Sequence, residues 1–372
     1  MKKLTSAAIA ASLSLCSLLP THAGVTYKSG DNSVKFGGRI QLQYHQEDDS
    51  TGTTDDLKFR RFRTYVQGSL HKDWVGKFQT EFGKGKVSLK DAYYKYTGLD
   101  YMNVTIGNKN FPFSRELLTS SKKTQLIERS FVGDHNYGTP DRQTGVHLDG
   151  SKDLFSWGAS LAVASNDPSS SKIDFEPTIQ IDKGSDWVDG IMLGGRIEFH
   201  PNGKMKISQG DFKKEGFKWY AALGAFTWNN DGDMPNTKNA MDSVTGIELG
   251  LGLRSNGWSA DLQYNTFSAD RETVSTTGTK IHRANQVGAD LDSLALEGGY
   301  LFSNNKWELT AGYQQQDADA YVEKWTKTTA GVNYFVRKHD IKFQFNYVMG
   351  EGKDGSRNSD VDEIIAQAQY VF

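Results

Sequence analysis

What most limits the folds open to this chain is a period of two in hydropathy, carried by strand-length segments from one end to the other. The last of them puts Ile364, Ala366, Ala368, Tyr370 and Phe372 on one face and Glu363, Gln367 and Gln369 on the other. About ten residues of tilted strand cross a bilayer. A final strand that stops on an aromatic residue is the closing strand expected of a barrel. The first segment, Val34 to His45, sets Val34, Phe36, Gly38, Ile40, Leu42 and Tyr44 against Lys35, Arg39, Gln41, Gln43 and His45. Phe62, Thr64, Val66 and Leu70 oppose Arg61, Arg63, Gln67 and Ser69 in the same way, as Ile247, Leu249, Leu251 and Leu253 oppose Glu248 and Arg254.

About sixteen such segments follow one another. The strands of a soluble sandwich average about five or six residues and turn their polar face outward, so length and number both point elsewhere. The expectation is an all-β, transmembrane antiparallel barrel of about 16 strands. Its connections alternate. Tight ones fall at His71 to Asp73, Gly98 to Asp100, Gly150 to Asp153, Ser255 to Gly257, Ser303 to Asn305 and Lys338 to Asp340. Longer polar loops fall at 165 to 188, 230 to 242, 269 to 289 and 350 to 360. Short periplasmic turns and long external loops produce that rhythm. Gly83 to Lys86 is short where a loop is expected, and Pro201 to Gly216 is long where a turn is expected.

The N-terminus carries Lys2 and Lys3, an apolar run from Ala7 to Leu19 and small residues up to Ala23. Residues 1–23 are read as a secretory signal, and residues 24–372 as one barrel domain, since Pro is sparse and no linker interrupts the pattern. The single cysteine, Cys16, lies within the signal. Removing Lys2 and Lys3 from the 43 basic residues leaves 41 against 45 acidic ones, a charge near −4. Such a chain has no whole-molecule field to draw nucleic acid or anions.

Two stretches concentrate chemistry. Phe111 to Asp141 is about thirty residues without strand pattern, long enough to be functional. It holds Arg115, Lys122, Lys123, Glu128, Arg129 and His135. An inward fold of this loop would narrow a lumen that sixteen strands leave open. The second stretch is Lys58 to Arg63, where alternation aims Arg61 and Arg63 into the lumen and leaves Arg60 at the rim or in a bulge. Two readings stay open. The guanidinium forks form an anion track, or they pair with lumen carboxylates such as Glu81, Asp91 and Glu297. Other lumen positions mix Lys35, Arg39, Lys77, Lys95, Arg196 and Lys342 with Glu198, Glu248, Asp261 and Glu308, a mixture that implies a transverse field without strong selectivity.

Catalysis has little to rest on, because neither His45 nor His147 has a partner at a telling spacing. No cofactor or metal is expected: Asn229 to Asp233 and Asp354 to Asn358 lack a full calcium-loop pattern.

Several motifs together resemble the phosphate-selective porins of the O and P type in Gram-negative outer membranes. They are Arg60-Arg61-Phe62-Arg63 running to Lys72-Asp73-Trp74, Lys90-Asp91-Ala92-Tyr93, Val104 to Gly107 with Pro112-Phe113, and Leu118 to Ser121 with Ile127 to Ser130. The resemblance implies a homotrimer in outer-membrane lipid and a constriction at Arg60, Arg61, Asp91, Ser120, Ser121 and Arg129. It also implies small anionic solutes, phosphate or a related oxyanion. Phosphate-binding members carry a lysine three residues before the serine pair; here the residue is Leu117. Lys122 and Lys123 stand ready to replace that charge. A weakly selective general porin and a plugged, surface-binding adhesin barrel are the alternatives.

Overall fold

In the computed structural model, which describes residues 24–166, 172–177, 190–231, 241–271 and 280–372, the chain closes on itself as a sheet. The strands are β1 (Val25–Ser29), β2 (Asn32–Asp49), β3 (Gly52–His71), β4 (Trp74–Glu81), β5 (Ser88–Leu99) and β6 (Met102–Asn110). Next come β7 (Arg142–Lys152), β8 (Phe155–Asn166), β9 (Phe175–Pro177), β10 (Ile191–Phe199), β11 (Lys218–Asn229) and β12 (Ser243–Ser255). The last are β13 (Trp258–Asp270), β14 (Gly288–Leu301), β15 (Trp307–Ala318), β16 (Trp325–Arg337), β17 (Ile341–Glu351) and β18 (Val361–Val371).

Sixteen of these form the barrel. β9 pairs only with the end of β8, while β10 pairs with β8 along its full length, and β1 is a short hairpin partner of β2. Each barrel strand runs antiparallel to its neighbours. β18 closes the ring on β2, with Ala366 opposite Tyr44. Phe372 completes the seam: its carbonyl accepts from Gly38 N at 2.8 Å and its N–H donates to Gly38 O at 3.1 Å.

The period of two has become an inside and an outside. Ile247, Leu249, Leu251 and Leu253 of β12 are exposed on the outer wall, whereas Glu248 and Arg254 are buried within. An apolar belt running round the whole molecule is stable only against lipid. Aromatic pairs mark one rim of the belt, on the side of the tight turns: Trp74 with Tyr96 at 4.9 Å, Trp258 with Tyr300 at 4.7 Å and Trp307 with Tyr334 at 4.7 Å. Rings at that depth sit in the interface. The six tight turns fall where the sequence puts them. Asn256 (φ 50°) and Gly257 (φ 98°) supply the left-handed backbone that the β12–β13 turn requires.

Both breaks in the expected rhythm of connections are present. Gly83–Gly85 makes a single 3₁₀ turn and leaves the up-and-down order intact, so the barrel count stays at sixteen. The segment 201–216 is no simple turn. It re-enters the barrel, where Met205 packs on Tyr220 and Ala222. The interior also holds an apolar cluster with no counterpart in the sequence reading, built from Phe111, Phe113 and Phe131 of the long loop against Phe226, Trp228 and Phe267 of the wall. The secretory signal, residues 1–23, lies outside the described residues, as do most of the loops expected at 165 to 188, 230 to 242 and 269 to 289.

Candidate functional site: a basic cavity inside the barrel

Two register breaks set the charge of the lumen. In the β2–β3 pair, Gln41 faces Arg61 and Leu42 faces Phe59, so Arg60 is the extra residue of a bulge. A bulge re-aims a side chain. Arg60 and Arg61 therefore both point inward, while Phe59 and Phe62 on either side remain on the outer wall. Phe78 faces Ala92 and Thr80 faces Leu89 in the β4–β5 pair, and this second break brings Lys90 and Asp91 inward together.

These residues line a cavity of about 850 Å³ between the β2–β7 wall and the long loop. Twelve basic side chains border it (Arg39, Arg60, Arg61, Arg63, Lys77, Lys86, Lys90, Lys109, Lys122, Arg129, Arg142 and Lys327) against six carboxylates (Glu81, Asp91, Glu128, Asp134, Asp141 and Glu363). Part of this charge is paired. Arg60 grips Glu128 with two bonds of 2.8 and 2.9 Å, Arg63 bonds Glu81, and Asp91 accepts from Lys77 and, at 2.6 Å, from Arg142. Burial alone would raise the Glu128 carboxyl, but the Arg60 and Arg61 guanidiniums hold it at about 2.

Lys109 pairs with Asp149 at 2.9 Å and Lys327 with Glu363 at 2.8 Å, while other cations have no carboxylate. Among the described residues no carboxylate lies within 4 Å of Arg39, Arg61, Lys90, Lys122 or Arg129. Arg39 donates to Ser120 Oγ at 3.1 Å and Arg61 to Gln41 Oε1 at 3.3 Å. Arg129 donates to the Leu117 and Thr119 carbonyls at 3.0 and 2.8 Å. The Nε atoms of Arg39 and Arg129 are buried with no acceptor, and buried donors without partners are costly.

The opposite wall carries carboxylates beside Arg196 and Arg254, which pair with Glu198, Glu248 and Asp261, and the loop covers them. A helical turn, Arg115–Leu118, capped by Ser114, brings Arg115 against Glu198 at 2.6 Å. The Arg115 N–H reaches Glu248 at 3.2 Å, and Gln125 donates to Glu308 at 2.8 Å. The backbone of the loop is tied at Ile127 N to Asn346 and at Thr124 O to Lys342, both at 2.8 Å. Glu198, Glu248, Asp261, Glu297 and Glu308 are all buried behind it.

Of the residues singled out from sequence, Arg60, Arg61, Arg63, Asp91, Ser120, Ser121, Lys122 and Arg129 line the cavity. Lys123 does not; its carbonyl accepts from Gln209 N in the re-entrant segment. Leu117 is fully buried and does not border the cavity. Glu81 and Asp91 do pair with cations, whereas Glu297 accepts from the Gln209 amide. Sequence reasoning left Arg39, Lys90 and Arg142 out of the site. Arg39 could have been found from the β2–β3 register, but Lys90 needs the bulge and Arg142 the return of the loop. His147 does meet a serine, Ser160 Oγ at 2.7 Å, but the pair is buried and its Nε2 is bonded to the Gly107 and Gln143 carbonyls. His45, Glu47 and Glu363 cluster near the mouth, where Lys353 and Lys327 already neutralise both carboxylates. Asp354 of the second calcium-like stretch is bonded by Lys280, and part of the first lies outside the described residues.

Comparison with known proteins adds two kinds of likeness. The family model described as phosphate-selective porin O and P matches residues 34–183 and 250–372. An uncharacterised protein of Aquifex aeolicus is 25% identical over 91% of this chain and 86% of its own length. Porin O of Pseudomonas aeruginosa is 28% identical over 30% of this chain and 28% of its own. Among solved structures, an anion-selective porin from Comamonas acidovorans superposes with a TM-score of 0.62 at 13% identity, over 92% of this chain and all of that one. The trimer form of OmpT from Vibrio cholerae does so with a TM-score of 0.57 at 14% identity, over 92% of this chain and 99% of that one. At such identities the structures speak for the fold alone.

Proposed function

The chain belongs to the phosphate-selective porin O and P family, an outer-membrane channel rather than an enzyme, and from that premise we propose that it passes small anions, phosphate or a related oxyanion among them. One observation carries this reading: in a chain of net charge −2, the cavity is bordered by twelve cations and six carboxylates. The long loop divides this cavity from the opposite wall, where Glu198, Glu248 and Asp261 are buried and already paired with Arg196 and Arg254. That loop is the constriction, and the anion passes between Ser120, Ser121, Lys122 and Arg129 on the loop and Arg39, Arg61 and Arg63 on the wall. Fixed guanidiniums in a site of low dielectric attract an anion more strongly than they would in water.

The preference extends beyond phosphate. Leu117 offers only its carbonyl to Arg129, so no lysine strengthens the serine pair, and Lys123, whose carbonyl is tied to the re-entrant segment, does not border the cavity. The six carboxylates among the cations further weaken tight binding. The assembly is a homotrimer on this reading, supported by the family and by the trimeric form of one structural neighbour.

The test is the reversal potential of single channels across a chloride gradient, followed by titration with phosphate. An anion-favouring potential and a fall in chloride current on adding phosphate are expected. A potential near zero and a current indifferent to phosphate would reduce the chain to a general porin, and absence of current would make it a plugged barrel.

A further inference from the structure

On the side of the tight turns, the connections between barrel strands span two to five residues, except the one from β10 to β11. That connection turns back into the barrel and is held there by its own chemistry. Phe212 packs on Phe335 at 4.8 Å and on His339 at 4.9 Å. Asp211 accepts from Gly257 N at 2.9 Å and from Lys214 N at 3.0 Å. Gly210 has φ +76°, and a Cβ there would lie 3.2 Å from Glu308 Oε1, so the tip is built for a glycine.

Gln209, buried at the tip, makes four bonds. Its N–H donates to Lys123 O at 3.1 Å and its Oε1 accepts from Gln125 N at 2.7 Å, both on the long loop. Its Nε2 donates to Glu297 Oε2 at 2.8 Å, and its carbonyl meets His339 Nε2 at 3.4 Å, both on the wall. A second tie lies beside it, where Lys206 O accepts from Arg115 Nη2 at 2.9 Å while the same guanidinium stacks over Tyr220 at 4.0 Å.

We infer that the re-entrant segment is a clamp on the loop and that Gln209 is its positioning residue for permeation. Lys123 and Gln125 follow directly on Ser120, Ser121 and Lys122. Fixing their backbone from the periplasmic side fixes the distance between those groups and Arg39 across the passage. Gln209 touches no solute and acts through the loop. The inference rests on the reading that the loop constricts the pore.

The experiment uses the full-length protein, refolded or purified from membranes, in planar bilayers, with Gln209→Ala and Gln209→Glu beside the parent. Truncation leaves Gln125 N–H and Glu297 Oε2 without partners. Gln209→Ala should keep a folded barrel, add flicker to the open-channel current and weaken phosphate block by about fivefold. Gln209→Glu keeps the acceptor for Gln125 N and sets a second carboxyl against Glu297. Its current should be quiet in acid, where the two carboxyls share a proton, and should flicker in alkali.

A Gln209→Ala channel as steady and as easily blocked as the parent overturns the inference, even if it melts at lower temperature. Should that variant fail to assemble, Gln209→Glu decides, since a current without pH dependence overturns the clamp. A parent without anion preference whose Gln209→Ala variant flickers leaves the clamp standing and removes the anion reading.

Discussion

Arg39 and Arg63 stand directly opposite each other in the register of β2 and β3, two guanidiniums on one face of one strand pair. Like charges so placed destabilise a sheet, and Arg61 adds a third on the same face, two residues from Arg63. Glu81 neutralises Arg63 alone. On the proposed function an anion drawn in from solution would relieve this repulsion, so the arrangement is costly for a wall and useful for a passage.

Removing Arg39 should therefore separate permeation from stability. Arg39→Gln lowers the anion-to-cation permeability ratio by about twofold to fivefold, the effect of losing roughly 0.5–1 kcal/mol of attraction. The barrel melts at the same temperature or higher, because the repulsion is relieved. Reversal potentials and thermal unfolding of the same preparation check both arms, and a lower melting point with unchanged selectivity refutes the account.

Glu128 works against the passage. Its two bonds to Arg60 occupy that fork, so Glu128→Gln should free a guanidinium and raise both anion selectivity and sensitivity to phosphate. A variant with weaker phosphate block would mean that Arg60 serves only to hold the loop. The measurement is the phosphate concentration that halves the chloride current.

Restoring the lysine that phosphate-binding relatives carry should fail. The Leu117 side chain is fully buried, so Leu117→Lys places an ammonium out of water at a cost of several kcal/mol. The expected result is a less stable protein whose phosphate block is no tighter. Tighter block in a stable channel would mean that the helical turn Arg115–Leu118 can rotate toward the passage.

Current noise should depend on pH through Glu116. Burial pushes this carboxyl up to about 7, against the opposing pull of the Ser130 hydrogen bonds and of Arg129, with Asp134 and Glu297 also facing it. The unfolded value is about 4.3, so the stabilising contribution is fully present below that pH and is lost as pH rises through about 7. Open-channel noise should increase between about pH 5 and pH 8, and Glu116→Gln, neutral throughout, should flatten most of the rise. An equal rise in both proteins would place the titrating group elsewhere.

The barrel was legible because its information is local. Whether Ile247, Leu249 and Leu251 face lipid follows from a period of two that any pair of turns preserves, and Asn256-Gly257 names its own turn chemistry. The long loop was legible as a length, and Arg61 and Arg63 as inward by parity. Parity reached its limit where the register breaks: it left Arg60 at the rim or in a bulge, the register of β2 and β3 shows the bulge, and Lys90 was lost because nothing local marks the second break. Lys123 was assigned to the passage because it adjoins Lys122, but a loop without periodicity does not fix which way successive side chains turn.

The sequence by itself determined that the chain is a sixteen-stranded, lipid-facing barrel with a long loop and a cluster of arginines, since alternation and turn chemistry act between near neighbours. Only the tertiary structure decided what charge the passage carries. Counted along the chain, the lumen is a mixture of both signs. The cavity on the β2–β7 side is basic because the loop divides it from the opposite wall, where Arg115, Gln125 and Gln209 reach Glu198, Glu308 and Glu297, and contact with a distant partner is written in no local stretch of residues.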